Sequence, residues 1–314
     1  MLIVDQENKY KREREAGDPS TLPSRLAELA KDKTWEVRYG VALNPHTTPD
    51  ILARLAKDRS GRVRRGVARN PSTSPDLLTT LAKDQNEYVR CAVAKNGNTP
   101  PEVFVGLAKD KSDWVTWNVA TSIFTPSGVL AQLAKDEYAS IRCWVGGNPS
   151  ALPDILVELA KDKHWDVRYS VTKNPSVPPE VLVSLAEDEN WLVRQSVAQC
   201  FYTPSSTLVK LATDEDKYVR EAVAINKIAP PEALAVLARD NNKYIRKAVA
   251  NNPSTPAHVL FHLALDEDVY VCEAARRNNN MTRHAPQAPD FSHGNDVDSD
   301  KTVVRTGMFT CQFV

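Results

Sequence analysis

The sequence predicts an all-α protein, a solenoid in which ten two-helix repeats stack along the chain. The tetrapeptide Leu-Ala-x-Asp recurs every 26 residues, in ten copies from Leu29 to Leu263, with no insertion or deletion. Eight residues after each Leu stands Val or Ile, usually followed by Arg. A unit of this length is too small to bury an apolar stripe alone, so neighbouring units must stack.

Residues 1–17 are predicted to form a polar N-terminal cap. Arg12 is in register with Arg38 of the first repeat, but Lys11 and Glu15 stand where the repeats carry buried valines. A terminal repeat needs a polar outer face because one of its sides has no neighbour to cover it.

Residues 18–280 are predicted to form the repeat domain. The copy that contains Ser74 illustrates how the first helix of each unit forms. Ser74 is expected to cap the helix, Pro75 to occupy its first position, where the missing N–H is harmless, and Asp76 to complement the helix dipole. The next residues give the apolar stripe of an amphipathic helix, formed by Leu77, Leu78, Leu81 and Ala82.

The second helix of the same unit places Val89 and Val93 on one face, at positions i and i+4. It is expected to end at Asn96, because asparagine tolerates the left-handed backbone conformation that stops a helix. The register continues to Asn278 and then stops. Residues 281–314 are therefore predicted to be a polar, disordered C-terminal tail.

Composition and charge exclude several classes of protein. Forty Lys and Arg side chains balance forty Asp and Glu, so the strong positive field of a dedicated nucleic-acid binder is missing. No apolar run is long enough for a membrane span, and the N-terminus becomes charged after Val4 instead of continuing as a signal sequence. We expect a cytoplasmic protein without a membrane partner; its oligomeric state is left open.

No motif in the sequence predicts catalysis, a cofactor or a metal. The five cysteines form no C-x-x-C pair, and H-E-x-x-H, G-x-S-x-G, Walker and G-x-G-x-x-G patterns are absent. His258 and His262 are spaced i, i+4 on one helix, but no third ligand is evident. The sequence thus predicts a protein that is not an enzyme, with no cofactor and no bound metal.

The run L-A-x-D-x-x-x-x-V-R-x-x-V-A-x-N-P-x-T-P resembles the leucine-rich repeat variant family over roughly residues 18–280. Its D-x-x-x-x-V-R portion is also similar to the core of HEAT repeats. Both resemblances imply a curved, right-handed superhelix, and the HEAT resemblance implies that the second helices line its concave face. Some members of the variant family carry an iron–sulfur cluster on N-terminal cysteines, a feature that does not carry over because the first cysteine here is Cys91.

The Asp of the tetrapeptide and the Arg six residues later are predicted to form a structural ladder between repeats. No copy differs chemically from the others in the way that a catalytic residue would, and a pair that recurs once per unit fits an interface between neighbours. Thr116 and Cys272 interrupt the arginine series. The predicted ladder comprises Asp32, Arg38, Asp58, Arg64, Asp84, Arg90, Asp162, Arg168, Asp188, Arg194, Asp214, Arg220, Asp240 and Arg246.

The outer face of the second helix carries the candidate binding residues. With Val and Arg directed inward, the positions seven, ten, eleven and fourteen after the repeat Leu should face outward, and position eleven, mostly Gly, Ala or Ser, should form a shallow floor. Exposed aromatic side chains are typical of protein-binding hot spots. The predicted aromatic patch comprises Tyr88, Trp114, Trp117, Trp144 and Tyr169.

The second repeat adds a basic cluster on the same face, in which Arg62, Arg65 and Arg69 are spaced i, i+3, i+7. Two interpretations follow. The favoured one is a protein- or peptide-binding scaffold whose arginines attract an acidic partner, and the alternative is a nucleic-acid-binding groove that combines cations with stacking platforms. If Trp117 and Trp144 serve only binding, their replacement by Ala should leave the thermal melting transition nearly unchanged.

Overall fold

The computed structural model describes residues 2–283, and side chains over 8–281. Within that range the chain is entirely helical outside turns, so the predicted all-α solenoid is confirmed. A long helix, α1 (Leu2–Gly17), is followed by ten two-helix repeats and by a short helix, α22 (Asn279–Arg283). Helix α1 coincides with the predicted cap, whereas α22 crosses the predicted boundary at 280. The remainder of the predicted tail, 284–314, lies outside the described residues.

The first helix of every repeat has seven residues. These helices are α2 (Pro23–Leu29), α4 (Pro49–Leu55), α6 (Pro75–Leu81), α8 (Pro101–Leu107), α10 (Ser127–Leu133), α12 (Pro153–Leu159), α14 (Pro179–Leu185), α16 (Ser205–Leu211), α18 (Pro231–Leu237) and α20 (Ala257–Leu263).

The second helices are slightly longer. They are α3 (Trp35–Leu43), α5 (Gly61–Arg69), α7 (Glu87–Ala94), α9 (Asp113–Thr121), α11 (Ala139–Gly146), α13 (Trp165–Thr172), α15 (Trp191–Gln199), α17 (Lys217–Ile225), α19 (Lys243–Asn251) and α21 (Val269–Arg277).

Local chemistry explains where these helices begin. Pro75 opens α6 and the Ser74 hydroxyl accepts a hydrogen bond from the Leu77 amide, as the sequence predicts. In α4 the equivalent Thr48 makes no such bond, so proline alone marks the start. In α7, α15, α17, α19 and α21 the preceding Asn or Asp accepts from the second backbone amide of the helix.

The core is one continuous column that runs through all ten repeats. Most repeats contribute two leucines of the first helix and two branched residues of the second, such as Leu78, Leu81, Val89 and Val93. Phe104 replaces one leucine in the fourth repeat, and Ala275 replaces the second branched residue in the tenth. Successive second helices pack directly against each other, whereas successive first helices lie farther apart. A stack that is tighter on one side curves toward that side, so the second helices line the concave face.

The asparagines that recur after the second helix in most repeats have a role that differs from the prediction. No residue in the described part of the chain has a positive φ, and Asn70 is extended, with φ −71° and ψ 128°. Its Nδ2 donates to the carbonyls of Ala42 and Asn44 in the preceding repeat, at 2.8 Å each, and its Oδ1 accepts from the Ser72 amide. The prediction of a left-handed stop at Asn96 was therefore wrong, because this asparagine likewise joins two repeats.

Candidate functional site

An arginine–aspartate ladder runs along the edge where each first helix joins its second helix. Arg38 donates through Nε and Nη2 to the carboxylate of Asp58 in the next repeat, while its Nη1 donates to the backbone carbonyl of Asp32 in its own repeat. The bond from arginine Nε to aspartate Oδ2 recurs along the stack at 2.6–2.7 Å, and all of these arginines except Arg12 repeat the Nη contacts as well. Its members are Arg12–Asp32, Arg38–Asp58, Arg64–Asp84, Arg90–Asp110, Arg142–Asp162, Arg168–Asp188, Arg194–Asp214, Arg220–Asp240 and Arg246–Asp266.

The electrostatics of the ladder follow from this geometry. Burial acts to raise the pKa of Asp110, but hydrogen bonds from the Arg90 guanidinium and the Ser112 amide outweigh it and lower that pKa below its ordinary value. The Asp110 carboxylate accepts hydrogen bonds from Arg90 Nε and Nη2 and from the Ser112 amide, and these bonds favour its ionised form. The ladder thus places its paired charges in the repeat interfaces.

The fourth repeat interrupts this pattern. Thr116 stands where an arginine would reach Asp136, and Ser122 stands where an asparagine would join repeats three and four. Ser122 Oγ instead accepts from the Phe124 amide within its own loop. This repeat also carries two of the six tryptophans, so its departure from the pattern coincides with the most aromatic part of the concave face.

Three of the predicted aromatic residues form a contiguous cluster. Trp114 and Trp117 stack in parallel, with ring centroids 4.5 Å apart and an interplanar angle of 8°. Trp144 meets Trp117 edge to face, at 5.6 Å and 87°. Trp114 and Trp144 are 49% and 46% exposed, whereas Trp117 is partly buried against the core. The cluster therefore has two exposed outer rings held by an inner one.

A groove of about 280 Å³ lies beside the stacked pair, and it unites the aromatic and basic predictions. Arg65 lies over the Tyr88 ring at 5.9 Å, and Lys95 lies over the Trp117 ring at 5.0 Å. The residues that line the groove include no Asp or Glu. The lining residues are Arg65, Arg69, Tyr88, Cys91, Ala92, Lys95, Trp114, Trp117 and Asn118.

Three predicted residues lie outside the lining of this groove: Trp144, which contacts it through Trp117, and the more distant Arg62 and Tyr169. Arg62 stacks on Trp35 of the first repeat, 4.6 Å from the ring centroid, and so extends the basic surface toward the N-terminus. Tyr169 packs edge to face with Trp165 at 6.4 Å, and Lys173 lies over its ring at 5.1 Å. The predicted patch is thus divided into a central groove and two flanking cation–aromatic pairs.

Position eleven after the repeat Leu lies mainly in the contact between adjacent second helices. Gly66 at this position is buried, and a Cβ added to it would lie 2.9 Å from the Ala42 Cβ and 3.0 Å from the Tyr39 ring. The position is small because adjacent second helices touch there, and in the groove it also contributes to the lining, through Ala92 and Asn118. Trp144 occupies position eleven in the fifth repeat and turns its ring out to the surface instead.

The remaining candidates for a chemical role are one cysteine and two histidines. Burial raises the pKa of Cys91 to about 11, so the thiol in the groove is protonated and is a poor nucleophile at neutral pH. His258 and His262 lie on α20, and the residues with described side chains contain no group of three or more that could hold a metal ion. Lys95 was not among the predicted site residues, although its place at position fourteen, like that of Arg69, could have indicated it.

Helices, repeat interfaces and the uninterrupted core together define the class of this protein: it is an α-solenoid of tandem two-helix repeats. Residues 36–97 match the Leucine Rich Repeat Variant domain. A solved structure described as a leucine-rich repeat variant with a novel repetitive structural motif is 25% identical, with a TM-score of 0.55, and the match covers 71% of this chain and 88% of that one. The resemblance to the leucine-rich repeat variant family is thereby confirmed.

Two further solved structures match more loosely. An engineered protein is 16% identical, with a TM-score of 0.30, over 87% of this chain and 94% of that one. The YibA protein of Escherichia coli is 18% identical, with a TM-score of 0.31, over 79% of this chain and 98% of that one. The comparison with curated proteins found no match. Among residues 2–283, no helix has both the length and the apolar character of a membrane span.

Proposed function

We propose that this solenoid is a non-catalytic scaffold and that its concave groove binds an acidic peptide segment of a partner protein. The observation that carries the proposal is the groove's lining: three cations, Arg65, Arg69 and Lys95, surround exposed aromatic faces with no carboxylate among them. Such a lining favours a ligand that offers both carboxylates and an apolar side chain.

The arrangement of the rings supports a peptide in preference to a nucleic acid. Trp114 and Trp117 already stack on each other at 4.5 Å, so no base can enter between them, and Lys95 lies over Trp117. Successive bases of a single strand need a series of open platforms. A peptide needs one anchored side chain and charged neighbours, which this groove supplies.

The test is a selection from a random peptide display library, followed by titration of the enriched peptides against variants. We expect acidic peptides with an aromatic or aliphatic anchor. Trp114→Ala and Arg65→Glu should each weaken their binding by about tenfold or more. Trp165→Ala is the matched control, since this ring is exposed at the start of α13 but lies outside the groove. Equal losses for Trp114→Ala and Trp165→Ala would contradict the proposal.

The nucleic-acid alternative is tested on the same variants with a labelled 20-nucleotide single strand, in titrations at two salt concentrations. Binding to phosphates weakens steeply with salt, in proportion to the number of contacts. Tight, salt-sensitive binding of the strand that is lost in Arg65→Glu, together with no acidic enrichment among the selected peptides, would favour the alternative.

A further inference from the structure

A second aromatic surface lies on the concave side, in the last three repeats. Tyr218, Tyr244 and Tyr270 are each the second residue of a second helix, in α17, α19 and α21. Their side chains are 44%, 66% and 62% exposed, so most of each ring is open to solvent. Because they occupy one repeat position in consecutive units, they form a row along the concave face, which we call the tyrosine row.

The tyrosine row is separate from the groove described above. The equivalent position is Ser140, Asp166 and Leu192 in repeats five, six and seven, so the aromatic series is interrupted for three repeats. At its near end the row is extended by Trp191, whose ring centroid lies 5.3 Å from that of Tyr218.

Lysine side chains accompany every ring of the row. Lys217 lies over Tyr218 at 4.9 Å, Lys243 over Tyr244 at 5.7 Å, and Lys247 over Tyr270 at 5.4 Å. Lys243 also pairs with Asp268 at 3.0 Å. A ligand on the row therefore meets an apolar ring at each step, beside an ammonium group at Tyr218 and Tyr270 and beside the Lys243–Asp268 ion pair at Tyr244.

The spacing of the row selects among extended ligands. Helices packed side by side lie about 8–10 Å apart, so successive tyrosines repeat at about that distance. A polyproline II strand rises about 3.1 Å per residue and repeats every three residues, at about 9.3 Å. Side chains on one face of a β-strand repeat every 6.6–6.8 Å or so, and an α-helical turn advances about 5.4 Å. Neither repeat matches the spacing of the tyrosines.

We propose that the tyrosine row binds a proline-rich segment of a partner protein in the polyproline II conformation, with proline at every third residue and acidic residues between. Each proline ring packs on one tyrosine, as aromatic-lined grooves accept prolines in other recognition domains. The intervening carboxylates face Lys217, Lys243 and Lys247. The low conformational entropy of polyproline II in the free peptide favours this contact over one with a flexible chain.

The test uses the full-length protein and two labelled nonapeptides of identical composition. One is Asp-Pro-Ala-Ala-Pro-Ala-Asp-Pro-Ala, with proline at every third residue, and the other has its three prolines consecutive. We expect the periodic peptide to bind more tightly, Tyr244→Ala to weaken it by about tenfold, and the triple alanine variant at Tyr218, Tyr244 and Tyr270 to abolish the difference between the peptides.

Two further variants complete the test. Lys247→Glu should weaken binding of the periodic peptide by several-fold, and a version with Lys in place of Asp should bind the wild type least. Tyr138→Ala is the matched control, because this tyrosine is 55% exposed and lies in neither the groove nor the tyrosine row. No binding of the periodic peptide, equal binding of both peptides, or an equal loss in Tyr138→Ala would overturn the proposal. Circular dichroism of each variant establishes that it is folded.

Discussion

Removal of one asparagine that joins two repeats should destabilise the protein far more than its small side chain suggests. Asn70 is fully buried and makes three hydrogen bonds: two from Nδ2 to the carbonyls of Ala42 and Asn44, and one accepted by Oδ1 from the Ser72 amide. Each such bond contributes about 1 kcal/mol net. Asn70→Ala should therefore lower the free energy of unfolding by about 3–4 kcal/mol, since the small cavity left behind adds to the three lost bonds.

The assay is urea unfolding followed by circular dichroism, with two companion variants. Ser72→Ala removes an exposed hydroxyl that donates to the Pro45 carbonyl at 3.1 Å, and it should cost about 0.5 kcal/mol or less. Asn70→Asp keeps the size and the acceptor but turns a carboxylate toward two carbonyl oxygens, so it should cost at least as much as Asn70→Ala. A loss below about 1 kcal/mol for Asn70→Ala, or one equal to that of Ser72→Ala, would refute this account of how repeats are joined.

Three other predictions concern the ladder and the concave face. The pKa of Asp110 is lowered in the folded protein, so the stability contributed by its pair with Arg90 is present above the ordinary Asp pKa and is lost as pH falls through the folded value. The free energy of unfolding, measured as a function of pH, should therefore decline below about pH 4. A flat profile down to about pH 2 would contradict this expectation. Trp117→Ala should lower the free energy of unfolding by about 2 kcal/mol, because this ring packs against the core. Trp144→Ala should change it by no more than about 0.5 kcal/mol, because this ring is exposed and most other repeats have a small residue at its position. Equal shifts in the melting temperature would contradict this assignment. Gly66→Val should cost about 1–3 kcal/mol by overpacking the contact between α3 and α5, and an unchanged melting temperature would show that the two helices can separate freely.

The second of these expectations separates two tryptophans that helical position alone treats alike. Helical position alone placed Trp117 and Trp144 on one outward face, and both were predicted to be dispensable for stability if they serve only binding. The structure distinguishes them, because the Trp117 ring lies between Trp114 and Trp144 and rests on the core. A position on a helical wheel gives a direction, but it does not state how far a neighbouring repeat reaches over it.

The sequence by itself determined the architecture of this protein. A 26-residue period without insertions determines that every unit makes the same contacts with its neighbours, so the helices, their proline starts and the buried Leu and Val positions follow from one copy. The family resemblance and the division into acidic and basic ladder positions were equally available, since both depend on residues that recur in every unit.

Tertiary structure alone decided which asparagine and glycine contacts join one unit to the next and what remains open to a ligand. The asparagine after the second helix and the small residue at position eleven were interpreted from their own backbone and helix. The roles of Asn70 and Gly66 are nevertheless set by atoms 26 or more residues earlier in the chain, or on the helix stacked beside them. The groove at Arg65 and Lys95 and the row from Tyr218 to Tyr270 are formed in the same way, by side chains from successive repeats that only the stacking brings together. A local pattern records which residues recur, but the distance between repeats decides which of them touch and which are left exposed.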